Sequence, residues 1–146
     1  MTSLRAEILL PGPAASGIAL VLTKPISFWG GVDPATGDII DARHPERGVN
    51  ITGRVLALPG TVGSSSASAV LLELVRAGRA PAAIILHEPD AILLLGLIVA
   101  REMGWPTPVA LRLDREHQKA LLGMIAVTRD GLVSWNEAAA VPTKLA

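Results

Sequence analysis

Cysteine is absent from this 146-residue chain, which excludes disulfides and any metal site built on thiolates. Tyrosine is missing as well, and there are only one Phe and three Trp. With half of the residues hydrophobic, the core has to be built from Val, Leu, Ile and Ala. Such a composition suits a sheet covered by helices, whose strands read as short aliphatic runs. An excess of charge of either sign is lacking too: thirteen acidic and thirteen basic side chains give a formal net charge of zero. That leaves no electrostatic footprint for nucleic acid or an anionic membrane. Near-neutrality also favours a permanent partner, because net charge helps to keep a free monomer soluble. Long hydrophobic runs are absent. The longest, Ala91 to Ala100, is about half of the roughly 20 residues that span a bilayer. Residues 1–10, MTSLRAEILL, lack the apolar segment and small-residue cleavage site of a secretory signal. The chain reads as soluble and cytoplasmic.

What is present has a clear order. The first third is strand-like and rich in turns, with an aliphatic run, Gly17 to Thr23, set between Pro11-Gly-Pro13 and Pro25. From Ser27 to Asn50 a long stretch carries many turn residues but is punctuated by Ile26, Phe28, Trp29, Val32, Ile39 and Ile40. Loops of that length tend to be functional or disordered, and here the apolar residues predict an ordered loop with a short strand pair. Arg54 to Leu58 is a buried strand ending at Pro59-Gly60, and Ala67 to Ala77 is a helix stopped by Gly78. Ala82 to Leu86 is the next strand. Pro89 suits the first position of a helix running to Met103. Thr107 to Leu113 is a strand, residues 115–122 form a short helix, and Met124 to Thr128 with Leu132 to Trp135 form a hairpin. A β-α-β-α-β middle predicts an α/β fold with a mainly parallel sheet and packed helices. The chain reads as one domain over residues 1–146, with 137–146 expected to fray.

The segment that invites chemistry is Gly60-Thr-Val-Gly-Ser-Ser-Ser-Ala-Ser68, between a strand and the helix it feeds. Small residues let the backbone approach a ligand closely, and a helix N-terminus favours an anion. A serine here has three available roles: it caps the helix, it binds a carboxylate or phosphate, or it acts as an alkoxide base stabilised by the helix end. Capping is the commonest of the three. The segment is neither a Walker loop nor a dinucleotide fingerprint nor a nucleophile elbow. Elsewhere, His44 lies in the long loop as a possible site residue, whereas His87 and His117 read as a strand-end and a solvated histidine. Asp33 and Asp41 read as turn-makers, with Asp33 kept as a possible site residue. Phe28 and Trp29 read as loop anchors or interface residues. No histidines or carboxylates show metal-ligand spacing, so no metal is expected in this chain.

Pro25-Ile-Ser-Phe-Trp-Gly-Gly-Val-Asp33, then Asp41-Ala-Arg-His-Pro45, then the glycine–serine loop, resemble the small subunit of the aconitase X family. The likeness continues through Val70-Leu-Leu-Glu-Leu74, Ala80-Pro-Ala-Ala-Ile84 and Glu88-Pro-Asp90. It implies the swivelling β/β/α domain that closes aconitases, working with a large subunit that carries an iron or iron–sulfur centre. Members of that family dehydrate hydroxy acids. Their catalytic base is a serine in a Gly-Ser step, which Gly63-Ser64 occupies here. Aconitases proper read Gly-Ser-Ser-Arg at this point, but this chain has Ser66 in place of the arginine. Another donor, either helix N–H groups or a partner residue, then has to support the base.

The resemblance also implies a substrate lined by Gly63, Ser65, Ser66 and the Gly30-Gly31 turn. The expected reaction is dehydration of cis-3-hydroxy-L-proline to Δ1-pyrroline-2-carboxylate. The alternatives are a mevalonate 5-phosphate dehydratase small subunit or a non-catalytic anion-binding or carrier module. A lack of Lys or Arg beside the loop favours the substrate without a phosphate. A chain without cysteine would supply the base, and its partner the metal.

Overall fold

A computed structural model describes residues 1–136; the tail expectation for 137–146 lies outside the described residues. Eight strands form the sheet: β1 (Thr2–Arg5), β2 (Glu7–Leu10), β3 (Ala15–Val21), β4 (Val55–Leu58), β5 (Ala83–Leu86), β6 (Val109–Arg112), β7 (Met124–Val127) and β8 (Leu132–Trp135). Four helical segments accompany them: α1 (Phe28–Gly31), α2 (Ala67–Arg76), α3 (Ala91–Glu102) and α4 (Arg115–Gln118). The first of these is a broken turn, since Trp29 and Gly30 leave the helical region of backbone space.

Strands β3, β4, β5 and β6 run parallel, as the β-α-β-α-β order predicts. Their side chains divide cleanly between two cores. Leu56, Leu58, Ile84, Leu86 and Ala110 face α2 and α3, while Val55, Ala57, Ala83, Ile85, Val109 and Leu111 face a second apolar interior. Burial on both faces is why these strands read as unbroken aliphatic runs. Strands β7 and β8 cover that second interior with Ile125, Val127, Val133 and Trp135. They alternate buried and more exposed residues, as strands with one wet face do.

The second interior is closed by a device not visible in the local pattern. The sheet order is β1-β8-β7-β3-β4-β5-β6-β2, and β1 and β2 are separated only by Ala6. One extended segment therefore pairs antiparallel with β8 at one edge and with β6 at the other. This joins the two edges and leaves neither free to template aggregation. Strand β3 is the other pivot, since Ala15 to Ile18 pair with β7 and Ala19 to Val21 with β4. A Cβ on Gly17 would sit 2.3 Å from the Gly53 carbonyl oxygen, so this changeover has room only for glycine.

Three details differ from the sequence expectations. Pro89 precedes α3 instead of opening it. Asp90 is the N-cap, its Oδ1 accepting the N–H groups of Ile92 at 2.9 Å and Leu93 at 3.2 Å, because a carboxylate satisfies two orphan donors at once. The strand pair expected between Ser27 and Asn50 is reduced to single antiparallel bridges, Val32 to Ile39 and Asp38 to Asn50. The short helix expected over 115–122 ends at Gln118. At its start, the His117 N–H donates to the Asp114 carboxylate at 2.9 Å, and this bond holds that carboxyl below the usual carboxylate range. His117 is exposed, as expected.

Helices α2 and α3 meet at Gly96, where a Cβ would lie 2.4 Å from the Ser68 carbonyl oxygen. Gly96→Ala will therefore destabilise the domain by about 2 kcal/mol, because overpacking outweighs the gain in helix propensity. Urea unfolding checks this; an unchanged or raised midpoint would show that the two helices separate freely.

Candidate functional site

The C-terminal ends of β4 and β5 lie side by side and lead into the two long helices. In open α/β sheets, ligands bind outside the carboxyl ends of the parallel strands. The two loops are pinned together there. His87 N–H donates to the Leu58 carbonyl at 3.2 Å and Glu88 N–H to the Pro59 carbonyl at 2.9 Å. A cavity of about 250 Å³ opens between them, lined by Thr61, Gly63, Ser64, Glu88, Pro89, Asp90 and Ile92.

Ser64 is half-buried in this cavity. Its turn depends on Gly63, whose φ of +83° falls in the left-handed region that glycine adopts without strain. The Ser64 hydroxyl accepts the Ser66 N–H at 3.0 Å, and the Ser64 carbonyl accepts the Ala67 N–H at 3.1 Å. Ser66, the nominal N-cap of α2, makes no side-chain cap bond. Ser64 thus does the capping, one residue pair earlier than the helix boundary suggests. Its oxygen receives a main-chain donor at the positive end of a ten-residue helix. Among the described residues, the hydroxyl proton itself has no acceptor, so it is available to a ligand.

The loop is anchored on both sides. Thr61 pairs with Ile26 in an isolated parallel bridge, and the Val62 N–H donates to the Ile26 carbonyl at 3.1 Å. On the other side the Thr61 hydroxyl donates to the Asp90 carboxylate. Asp90 therefore caps α3 with one oxygen and holds the serine loop with the other. It was missed in the sequence, although Asp just ahead of an apolar helix is a recognised cap signal.

The remaining candidates lie around this centre. Ser65 and Ser66 are exposed beside the cavity and outside its lining. Gly30 and Gly31 also fall outside the lining. They shape the turn after Phe28, where the Gly31 carbonyl accepts the Ile40 N–H at 2.8 Å and Phe28 is fully buried. Trp29, in contrast, is 59% exposed, which suits the interface reading better than the anchor reading. His44 is buried, with Nε2 3.0 Å from the Lys24 carbonyl and Nδ1 accepting the Glu46 N–H at 3.1 Å. Both ring nitrogens are occupied by backbone groups, so this histidine braces the segment before Ile26. Asp33 Oδ1 accepts the Ala35 N–H at 2.9 Å, and Asp41 Oδ1 accepts the Arg43 N–H at 3.0 Å, both as turn-makers. His87 Nδ1 accepts the Arg115 N–H at 3.2 Å. Among the described residues, no group of three or more His, Asp or Glu is placed to hold a metal ion, and no helix is long and apolar enough to cross a membrane.

Comparison with known proteins identifies the architecture. The family model for the aconitase X swivel domain matches residues 3–134. The chain belongs to the aconitase X swivel-domain family. The solved structure of Thermococcus kodakaraensis aconitase X in its holo-form superposes with a TM-score of 0.81 at 32% identity, covering 94% of this chain and all of the matched chain. A cis-3-hydroxy-L-proline dehydratase of Pseudomonas aeruginosa is 54% identical over 98 residues, 66% of this chain but 17% of that protein. A phosphomevalonate dehydratase small subunit of Methanothermobacter thermautotrophicus is 46% identical over 84 residues, 58% of this chain and 64% of its own length. The swivel unit therefore occurs both as a separate small subunit and as a minor part of a much longer dehydratase chain.

Proposed function

We propose that this chain is the swivel-domain subunit of a heteromeric, cytoplasmic hydro-lyase acting on cis-3-hydroxy-L-proline, with Ser64 as the base. The observation that carries the reading is the Ser66 N–H bond to Ser64 Oγ at 3.0 Å, inside a cavity at the carboxyl ends of the parallel strands. A base that ionises needs preorganised donors aimed at its oxygen. Where aconitases place an arginine, this chain has Ser66, and its own helix end supplies the donor instead. Capping and catalysis are thus compatible roles for one hydroxyl.

The chemistry divides between two subunits. Ser64 takes the proton from the carbon next to the carboxylate. The electron pair of that C–H bond becomes a carbon–carbon double bond as the neighbouring C–O bond breaks with its electrons. The departing hydroxide takes a proton from solvent to leave as water, which balances the proton Ser64 gave to solvent on becoming the alkoxide. The resulting enamine tautomerises to Δ1-pyrroline-2-carboxylate. An iron centre would supply Lewis-acid assistance to the departing hydroxyl. The residues of this chain do not fit such a centre, having no cysteine and, among those described, no metal-holding group. The proposal therefore assigns it to the large subunit, and no step on this chain passes through it. The small-subunit relative at 46% identity favours a second reading, with mevalonate 5-phosphate as the substrate.

Co-expression with the large subunit separates these readings. The expected result is pyrroline formation from cis-3-hydroxy-L-proline by the complex and none by this chain alone. Turnover of mevalonate 5-phosphate in its place would transfer the substrate assignment. A complex inert toward both, with an anion held by this chain alone, would favour a non-catalytic binding or carrier module.

A further inference from the structure

The charge balance of the Ser64 cavity is one-sided. Its seven lining residues include two carboxylates, Glu88 and Asp90, and no lysine, arginine or histidine. The two carboxylates differ in what they have left to offer. Asp90 is saturated by the Ile92 and Leu93 N–H groups and the Thr61 hydroxyl. Glu88 is exposed, and its carboxylate has no partner among the described residues. Its main chain is held by the Pro59 carbonyl, and its Cβ packs where a side chain on Gly60 would stand, 3.2 Å from the Cβ position there. The stem is fixed while the charged end is free.

An unpaired carboxylate is a poor neighbour for a substrate phosphate, whose charge no lysine, arginine or histidine of this lining offsets, because like charges in a partly enclosed site repel. It is a good neighbour for a substrate that brings its own cation. We propose that Glu88 is the counter-ion for the ring ammonium of a cyclic amino-acid substrate, and that it selects 3-hydroxyproline over phosphate-bearing hydroxy acids. The inference rests on the reading of Ser64 as the base of a dehydratase site. Specificity built this way works in both directions: the ammonium is paired, and a second anion is rejected.

The test uses the co-expressed complex with Glu88→Gln and Glu88→Asp. On cis-3-hydroxy-L-proline, Glu88→Gln should raise KM by about tenfold to a hundredfold and lower kcat by much less, with Glu88→Asp recovering part of the loss. As inhibitors, L-proline should bind the wild-type complex at least about tenfold better than (S)-tetrahydrofuran-2-carboxylate, which has a ring oxygen in place of the ammonium, and Glu88→Gln should erase that preference. If the wild type turns over hydroxyproline but KM shifts less than about twofold in Glu88→Gln, or the two inhibitors bind alike, the role of Glu88 is overturned while the dehydratase reading stands. If the wild type turns over no hydroxyproline, the reading beneath it fails first.

Discussion

Replacing Ser64 with alanine should lower kcat of the assembled enzyme by at least about a hundredfold, the usual contribution of a positioned general base. KM should move little, because the hydroxyl is asked to act on a proton and not to hold the substrate. The substitution also removes the acceptor for the Ser66 N–H, which as a lost helix cap costs about 1 kcal/mol of stability. That is small for a domain of this size, so the two effects separate: near-normal folding by circular dichroism, with loss of turnover. A fall in kcat of less than about tenfold, equivalent to about 1.4 kcal/mol of barrier, would return Ser64 to the role of a cap. The capping bond itself does not compete with catalysis, since the Ser66 N–H occupies one lone pair of the oxygen and the alkoxide keeps others for the substrate proton.

The position of Ser64 was legible because everything that defines it is local. A strand of apolar residues ends at Pro59-Gly60, small residues follow, and α2 begins at Ala67. The same holds for β5 and β6, which are buried on both faces and so announce themselves as aliphatic runs. Long-range features stayed hidden. Nothing around Ala6 says that one extended segment pairs with β8 on one side and β6 on the other, because both partners lie more than a hundred residues away. Glu88 reads in sequence as a polar residue at a strand end. Only the pinning of its loop against Pro59 brings it to the serine. The resemblance implied that the Gly30-Gly31 turn lines the substrate; in the structure it is a tight turn after Phe28, outside the lining of the Ser64 cavity.

Gln118 is the residue whose sequence context misleads most, and its removal should have the largest effect on stability. It stands in Arg115-Glu-His-Gln118, a run that reads as a solvated face, yet it is fully buried. Its Nε2 donates to the carbonyls of Leu58 at 3.1 Å and Leu113 at 3.0 Å, and its Oε1 accepts from the Arg115 guanidinium. Arg115 in turn donates to the Leu22 carbonyl at 3.0 Å. One amide thus satisfies the Leu113 carbonyl just beyond β6 and adds a second donor to the Leu58 carbonyl at the end of β4, which also accepts the His87 N–H. Gln118→Leu keeps the bulk but leaves the Leu113 carbonyl and one Arg115 donor short of a partner, and takes one of two donors from the Leu58 carbonyl. Each unsatisfied buried polar group costs about 1–3 kcal/mol, so a total loss of about 3 kcal/mol is expected. At roughly 2–4 °C per kcal/mol for a chain of this length, Tm should fall by about 6–12 °C. Gln118→Glu should be worse, because it deletes the donors and buries a charge. Since Leu58 leads directly into the loop that carries Ser64, activity at moderate temperature should fall along with stability. A Tm loss of under about 2 °C in Gln118→Leu would mean that water replaces the amide at the strand ends.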